Sequence, residues 1–415
     1  MEIFEILERR EMKVKRFVAG VVFGACLLGL SFPVMGAEKA PYVIGAVFSV
    51  TGGASFLGEP ERNTAKMVEE WVNGAGGIQG HPLKVIVEDS KSDEGQAVLA
   101  VRKLLDLDKD KVLAIIGPST TGESMAVAPI MEKAKTPLIS CAAALSIVTP
   151  KEELDRILAA KTFEMPKKQN PWIFKTAQTD TSAVEAIYDY MQKKKITKVA
   201  IITVTAAFGD FGRQELKRAA PGYGISIVAD ERYGPKDSDM TAQLTKIKGT
   251  DAQALINWSV GPPQVLVAKN WKQLGMKIPL YQSHGFGSKR NIELAGGAAE
   301  GVLCPLGHII VAEKVKAEHP QKAVVMKYKS EYEKRFKADV SSFGGYAHDA
   351  LYLLANALKA VEPDKGKIRD YLETQVKNWP GVSGIFNLSP QDHTGLNKDA
   401  FVMITVKNND WTFAD

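Results

Sequence analysis

The sequence predicts an α/β protein made of two doubly wound parallel-sheet lobes joined by a multi-strand hinge. Three observations carry that expectation. Short β-branched apolar runs alternate with amphipathic stretches of helical period along most of the chain, the pattern of successive βα units. The alternation stops at a charged stretch around 150–171 and then begins afresh. Beyond Gly301 it gives way to long helical patterns and a closing β-rich segment.

The first series places strands at 42–48, 83–89, 113–116 and 137–140, with helices near 59–73, 94–106 and 122–135 between them. Segment 150–171, punctuated by Pro150, Pro166 and Pro171, reads as a helical insertion and linker. The second series places strands at 198–204, 225–231, 254–258 and 278–281, separated by helices near 210–220, 240–248 and 262–274. Its strands recur about every 25–28 residues, the spacing of βα units that feed a parallel sheet. Helices near 320–337, 346–360 and 364–375 follow, then strands at 385–388 and 401–406. The expected division is residues 41–160 with 304–375 in the first lobe, and 171–303 with 376–415 in the second.

At 415 residues and 45% hydrophobic, the chain is long enough for two cores. Its formal charge of +5 is spread along the sequence, which argues against a nucleic-acid stripe or a basic membrane tail. Lys13, Lys15 and Arg16 precede an apolar run from Phe17 to Leu30, small residues follow at Gly36 and Ala37, and charge resumes at Glu38. That is the order of a secretory signal over residues 1–37, so the mature protein is expected in the periplasm. The stretch before Met12 is acidic, unlike such a leader, which makes Met12 an alternative start. A single membrane anchor is the alternative reading, but the run is short for a span. A lipid anchor on Cys26 fits less well, because the apolar run continues past it and Phe23 stands where a small aliphatic residue is needed. No membrane insertion is expected after cleavage. Cys141 and Cys304 would remain, far apart and outside any metal-binding spacing. They are expected to be two small buried thiols, although an oxidising compartment permits a disulfide. No metal or cofactor is expected.

Parallel α/β sheets bind ligands beyond the carboxyl ends of their strands. The loops there, 49–58, 117–122, 140–146, 205–210, 258–263 and 282–288, are rich in Gly, Ser, Thr and aromatic residues. Two lobes with facing strand ends would enclose a cleft. Ser119, Thr120 and Thr121 stand just before a helical pattern, where hydroxyls and backbone N–H groups can seat a carboxylate; plain N-capping is the alternative. Phe56, Phe208, Trp258 and Phe286 fall on or beside these loops and would wall an aromatic or apolar ligand, unless each only packs under its loop. His284 has the chemistry to hydrogen-bond a carboxylate or carbonyl, although a lone histidine is more often structural. No nucleophile elbow, zinc helix or phosphate loop is present, so no catalytic residue is assigned. Asp392-His393, a conceivable acid–base pair, reads more simply as a surface turn beside Gly395.

Four stretches then carry a family likeness. They are Ile44-Gly45 leading to Thr51-Gly52; Asn73-Gly-Ala-Gly-Gly-Ile-Gln-Gly80; Ile116-Gly-Pro-Ser-Thr-Thr-Gly122 with Ala126-Val-Ala-Pro129 and Pro137-Leu-Ile-Ser140; and Phe208-Gly-Asp-Phe-Gly212. From about residue 42 onward the chain resembles the leucine/isoleucine/valine-binding family of periplasmic proteins that serve ABC importers. The resemblance implies the type I periplasmic binding protein architecture, a small-molecule solute, an importer permease as partner, a monomer and no catalysis. It also implies that the hydroxyl at Thr121 holds a ligand carboxylate.

Two departures bear on the ligand. After Ser140 this chain reads Cys-Ala-Ala-Ala144, so Ala142 and Ala143 offer backbone groups while Ala144 lacks the family's hydroxyl. The acidic residue that receives the α-ammonium in the amino-acid binders falls at Gly285, and no carboxylate follows until Glu293. An unpaired buried ammonium is costly. An aromatic or other apolar organic acid is therefore favoured, with branched-chain amino acids or amides next. A sensory module using the same clamp, and an exported hydrolase, are the alternatives from other classes.

Overall fold

The computed structural model describes residues 39–107, 111–160 and 164–415, so the leader expected at 1–37 lies outside the described residues. The first sheet is parallel and five-stranded, in the order β2-β1-β3-β4-β5. Its strands are β1 (Tyr42–Phe48), β2 (Leu83–Asp89), β3 (Val112–Ile116), β4 (Leu138–Ser140) and β5 (Ile173–Lys175). Every residue of β1 is buried, because helices cover both faces of the sheet. Alternate side chains divide between them. Ile44, Ala46 and Phe48 share a cluster with Leu351 and Leu354 of the helix Ser342–Ala360. Val43 and Val47 join Val101 and Leu104 of the helix Glu94–Asp106.

The second sheet has seven strands in the order β14-β13-β10-β9-β8-β6-β7. Strands β6 (Lys198–Val204), β7 (Ser226–Tyr233), β8 (Ala254–Trp258), β9 (Leu280–Gln282) and β10 (Leu303–Leu306) run parallel. A separate antiparallel pair joins β11 (Trp379–Pro380) to β12 (Ile385–Phe386), and at one edge of the large sheet β13 (Val402–Lys407) and β14 (Asp410–Phe413) add antiparallel. Among the described residues no helix is long and apolar enough to cross a membrane. Cys141 and Cys304 are both free and buried, one in each lobe.

The lobe boundaries differ from the sequence expectation in three places. Strand β5 pairs with β4, so the first lobe continues past 171 to Lys175; its Ile-Phe-Lys run follows directly on the proline-punctuated segment and ends on a charge. Strand β10 pairs with β9 and β13, so Cys304 to Leu306 belong to the second lobe. Residues 376–400 were assigned to the second lobe, but Val376, Phe386, Leu388, Leu396 and Ala400 pack into the core of the first. Asp349 fixes that segment. Its carboxylate accepts from the backbone N–H of Val382 at 2.8 Å and of Ser383 at 2.7 Å.

The chain consequently crosses between lobes three times, at 176–179, at Gly307 and near Ala400. These crossings touch. A Cβ built on Gly307 would stand 3.1 Å from Gln178 Nε2 and 3.9 Å from the Ala400 carbonyl. Gln178 donates to the Ser383 carbonyl at 2.6 Å and accepts from the Tyr346 hydroxyl at 3.0 Å. Three adjacent strands of chain with few side chains between them form a hinge.

Removing the Asp349 carboxylate would leave two buried N–H groups unmatched. Asp349→Ala is expected to cost about 3 kcal/mol in urea unfolding. A loss under about 0.5 kcal/mol would show that the 376–400 segment is held by packing alone.

Candidate functional site

The loop after β3 begins at Gly117, whose φ of +82° and close approach to the Val47 carbonyl (2.1 Å from a built Cβ) admit only glycine. The residues that follow turn inward on themselves. Ser119 Oγ accepts from the Ser49 N–H at 3.0 Å and is hydrogen-bonded to Glu61. Thr120 caps the helix Thr121–Ala134 in a capping box: its hydroxyl receives the Glu123 N–H at 3.3 Å and donates to the Glu123 carboxylate at 2.8 Å. That carboxylate also accepts from the hydroxyls of Ser90 at 2.6 Å and Ser49 at 2.9 Å. Glu123 thus fills the anion seat that the sequence offered to a ligand. Burial pushes the Glu123 carboxyl up, and pushes Glu61 well above the ordinary carboxylate range. Thr121 alone of the three keeps a hydroxyl with no partner among the described residues.

The loop after β4 is pinned from behind. Ser140 Oγ accepts from the Ala142 N–H at 3.0 Å, the Ala143 carbonyl accepts from Lys175 Nζ at 2.6 Å, and the Leu145 N–H donates to Asp180 at 3.1 Å. In the second lobe Phe208 opens the helix Ala207–Ala219, and a short turn His284–Phe286 follows β9. His284 is 4% exposed, and neither ring nitrogen has a partner among the described residues. It is boxed by Phe208, Trp258 and Phe401, with ring centroids at 5.3, 5.8 and 5.4 Å. Burial, aided by the charge of Lys175, lowers its pKa to about 3, so the imidazole is neutral.

These loops meet around a cavity of about 60 Å³. The first lobe contributes Leu57, Ser119, Thr120, Thr121, Cys141, Ala142 and Ala143, and the second Phe208, Val260, His284 and Gly285. Phe343 and Tyr346 complete it from the helix Ser342–Ala360. Eight of the ten expected site residues therefore surround one space. No carboxylate or ammonium lines it, and Glu293 is exposed elsewhere. A hollow of about 270 Å³ beside Trp71 and another of about 530 Å³ beside Tyr190 share no residue with it.

Two expected residues stand back from the cavity. Trp258 is not a wall: it is fully buried, its ring 5.9 Å beneath Phe208, and its indole fills the space that a Cβ on Gly212 would need. Phe56 lies beside the cavity, edge-on to Phe343 at 6.0 Å and against Gly261 of the other lobe. Phe286 also packs in the second lobe's core. His393 is no surface residue. It is stacked on Phe174 at 4.1 Å and bonded to the Ile173 carbonyl, while Asp392 caps the turn N–H groups of Thr394 and Gly395. Phe343 and Tyr346 went unrecognised because they sit in a helix whose apolar spacing reads as core. Their i, i+3 spacing on one helix face is the only local signal.

The family model described as "Periplasmic binding protein" matches residues 41–410 of this chain. The leucine-, isoleucine-, valine-, threonine-, and alanine-binding protein of Pseudomonas aeruginosa is 23% identical over 334 residues, 80% of this chain and 82% of that one. Among solved structures, an extracellular ligand-binding receptor from Rhodopseudomonas palustris HaA2 is similar with a TM-score of 0.79 and 28% identity, covering 91% of this chain and all of that one. LivJ of Streptococcus pneumoniae, a branched-chain amino acid transporter substrate-binding protein, shares the fold with a TM-score of 0.74 at 24% identity, covering 91% and 99%.

Two unpartnered nitrogens in a buried ring cost stability. His284→Phe is expected to stabilise the protein by about 1 kcal/mol at pH 7. The folded pKa lies below the unfolded value, so the unfolded chain binds the extra proton between about 3 and 6.5 and acid costs the wild type stability there. The variant's advantage should widen by up to about 1.4 kcal/mol per pH unit below 6.5. Urea melts at pH 7 and pH 5 check both; a variant less stable at both would mean that the ring nitrogens are satisfied.

Proposed function

The chain belongs to the periplasmic binding protein family, and on that footing we propose that it captures a small organic acid outside the cytoplasm and delivers it to the permease of an ABC importer. Family membership makes it a solute-binding protein rather than an enzyme. The observation that supports the finer reading is the cavity itself, which takes its walls from strand-end loops of both sheets. A solute held there touches both lobes at once, so it favours the shut form of a molecule hinged at three adjacent crossings. The shut form is then what a permease recognises. On this reading the protein works as a monomer in the periplasm, without nucleic acid and without membrane insertion.

The lining argues for an aromatic or other apolar carboxylate. Phe208, Phe343, Leu57 and Val260 supply apolar surface, while Thr121 supplies a hydroxyl and His284 two ring nitrogens without a partner among the described residues. An amino acid would bring an ammonium into a space lined by no carboxylate. Branched-chain amino acids and amides stand second, the amino acids favoured by the specificity that the Pseudomonas relative is named for.

Calorimetry with leucine, 4-methylpentanoate, benzoate and benzamide separates these readings, since leucine and 4-methylpentanoate differ only by the ammonium. The carboxylates lacking it are expected to bind and to raise the melting temperature, by about 2.7 kcal/mol of added stability at a hundredfold excess over Kd. Tight leucine binding with no response to 4-methylpentanoate would overturn the organic-acid reading. Phe208→Ala should weaken the bound acid by about tenfold or more at unchanged circular dichroism. An unchanged Kd would remove that ring from the binding surface.

A further inference from the structure

We infer that Lys175 makes this cleft select an anionic solute over its neutral isostere. The inference rests on the reading of the cleft as an organic-acid site. Lys175 ends β5 and is 1% exposed, and its Nζ donates to two carbonyls, Ala143 at 2.6 Å and Ala177 at 2.8 Å. Ala143 lines the cavity, so a buried ammonium stands one peptide group behind the wall. The Ala143 carbonyl is committed to Lys175 and cannot also receive a ligand ammonium on that side. The charge reaches across the space, because it contributes to the depressed pKa of His284 on the opposite wall.

Its counter-charge meets the same loop two residues on. Asp180, also 1% exposed, heads the helix Asp180–Lys193 and accepts from the N–H groups of Leu145 and Thr181. The loop 143–145 is thus gripped between a buried cation at Ala143 and a buried anion at Leu145. Asp392 also faces Lys175 electrostatically, and Glu215, paired with Arg218, faces Asp180. Behind Ser119 and Thr120 lie Glu61 and Glu123, and burial raises the pKa of each carboxyl.

A proton is linked to this selection. Burial lowers Lys175 and raises Asp180, and each lies in the other's field. An anion beside the pair stabilises its protonated form. Carboxylate entry should therefore take up a proton where the pair titrates. Affinity should fall as pH rises through that range, by at most about tenfold per pH unit, because the free protein has then lost a proton that the complex retains.

The test measures benzoate and benzamide binding to the full chain and to Lys175→Met by calorimetry, in phosphate and Tris buffers between pH 6 and 8.5. Wild type should prefer benzoate and take up protons with it, but not with benzamide. Lys175→Met should lower benzoate affinity about tenfold to a hundredfold, change benzamide little, and shift the pH range of the proton uptake, because Asp180 then titrates without its cation. A lysine that only braced the loop would weaken both ligands alike, and that result would overturn the inference. So would benzoate binding by the wild type that is independent of pH and buffer, a measurement that holds even if the variant fails to fold. Silence toward benzoate and 4-methylpentanoate alike at pH 6 would instead sink the organic-acid reading beneath it.

Discussion

Covering a parallel sheet with helices on both faces leaves only the ends of its strands for polar work. Both sheets obey this constraint: β1, β3 and β8 are buried along their whole lengths, and their hydroxyl-, glycine- and aromatic-rich loops all lie beyond the carboxyl ends. Two such ends brought face to face by three short crossings enclose a space whose walls come from segments far apart in the chain. Val260 and Phe211 of the second lobe pack on clusters of the first, and Phe56 lies on Gly261, so the apolar seams meet around that space.

Much of the polar chemistry near the cavity is spent on holding the loops. Ser119, Thr120, Ser49 and Ser90 all serve two buried glutamates, and Ser140 serves Ala142. Buried hydroxyls and carboxyls that satisfy one another fix a loop firmly, because breaking any one bond strands another group. What remains unspent is informative for the same reason. The two nitrogens of His284 are buried polar groups without a partner among the described residues, and they border the same cavity as Thr121. Sites built for a partner carry such groups at a cost in stability.

The hinge follows from how residues 376–400 are held. Because Asp349 ties Val382 and Ser383 to the first lobe, the final crossing falls at Ala400, beside Gln178 and Gly307. Had that segment stayed with the second lobe, the crossings would be spread apart and rotation about one axis would strain the chain. The site and the hinge also share residues: Tyr346 lines the cavity and donates to Gln178. The cavity's walls and the turning point are thus joined through Tyr346, whose carbonyl also accepts from the Thr176 hydroxyl at 2.9 Å.

Periodic patterns carry the architecture, and those are local. The strands β1, β2, β6 and β8 and the helix Glu94–Asp106 are legible residue by residue, since alternation and helical spacing record which faces are buried. Strand-end loops are legible too, which is why eight of the residues expected there border one cavity and the family likeness can be recognised. Strand β5 is not legible because its short Ile-Phe-Lys run follows directly on a proline-punctuated segment, and the lobe of residues 376–400 is not legible because one buried aspartate, distant in sequence, decides it. Trp258 and Phe208 look alike in sequence as rings at strand ends, yet only packing against Gly212 sends one under the other. Lys175 carried no signal at all. Its place behind Ala143 depends on β4 and β5 lying side by side, and adjacency between strands is a property of the folded sheet rather than of any stretch of the chain.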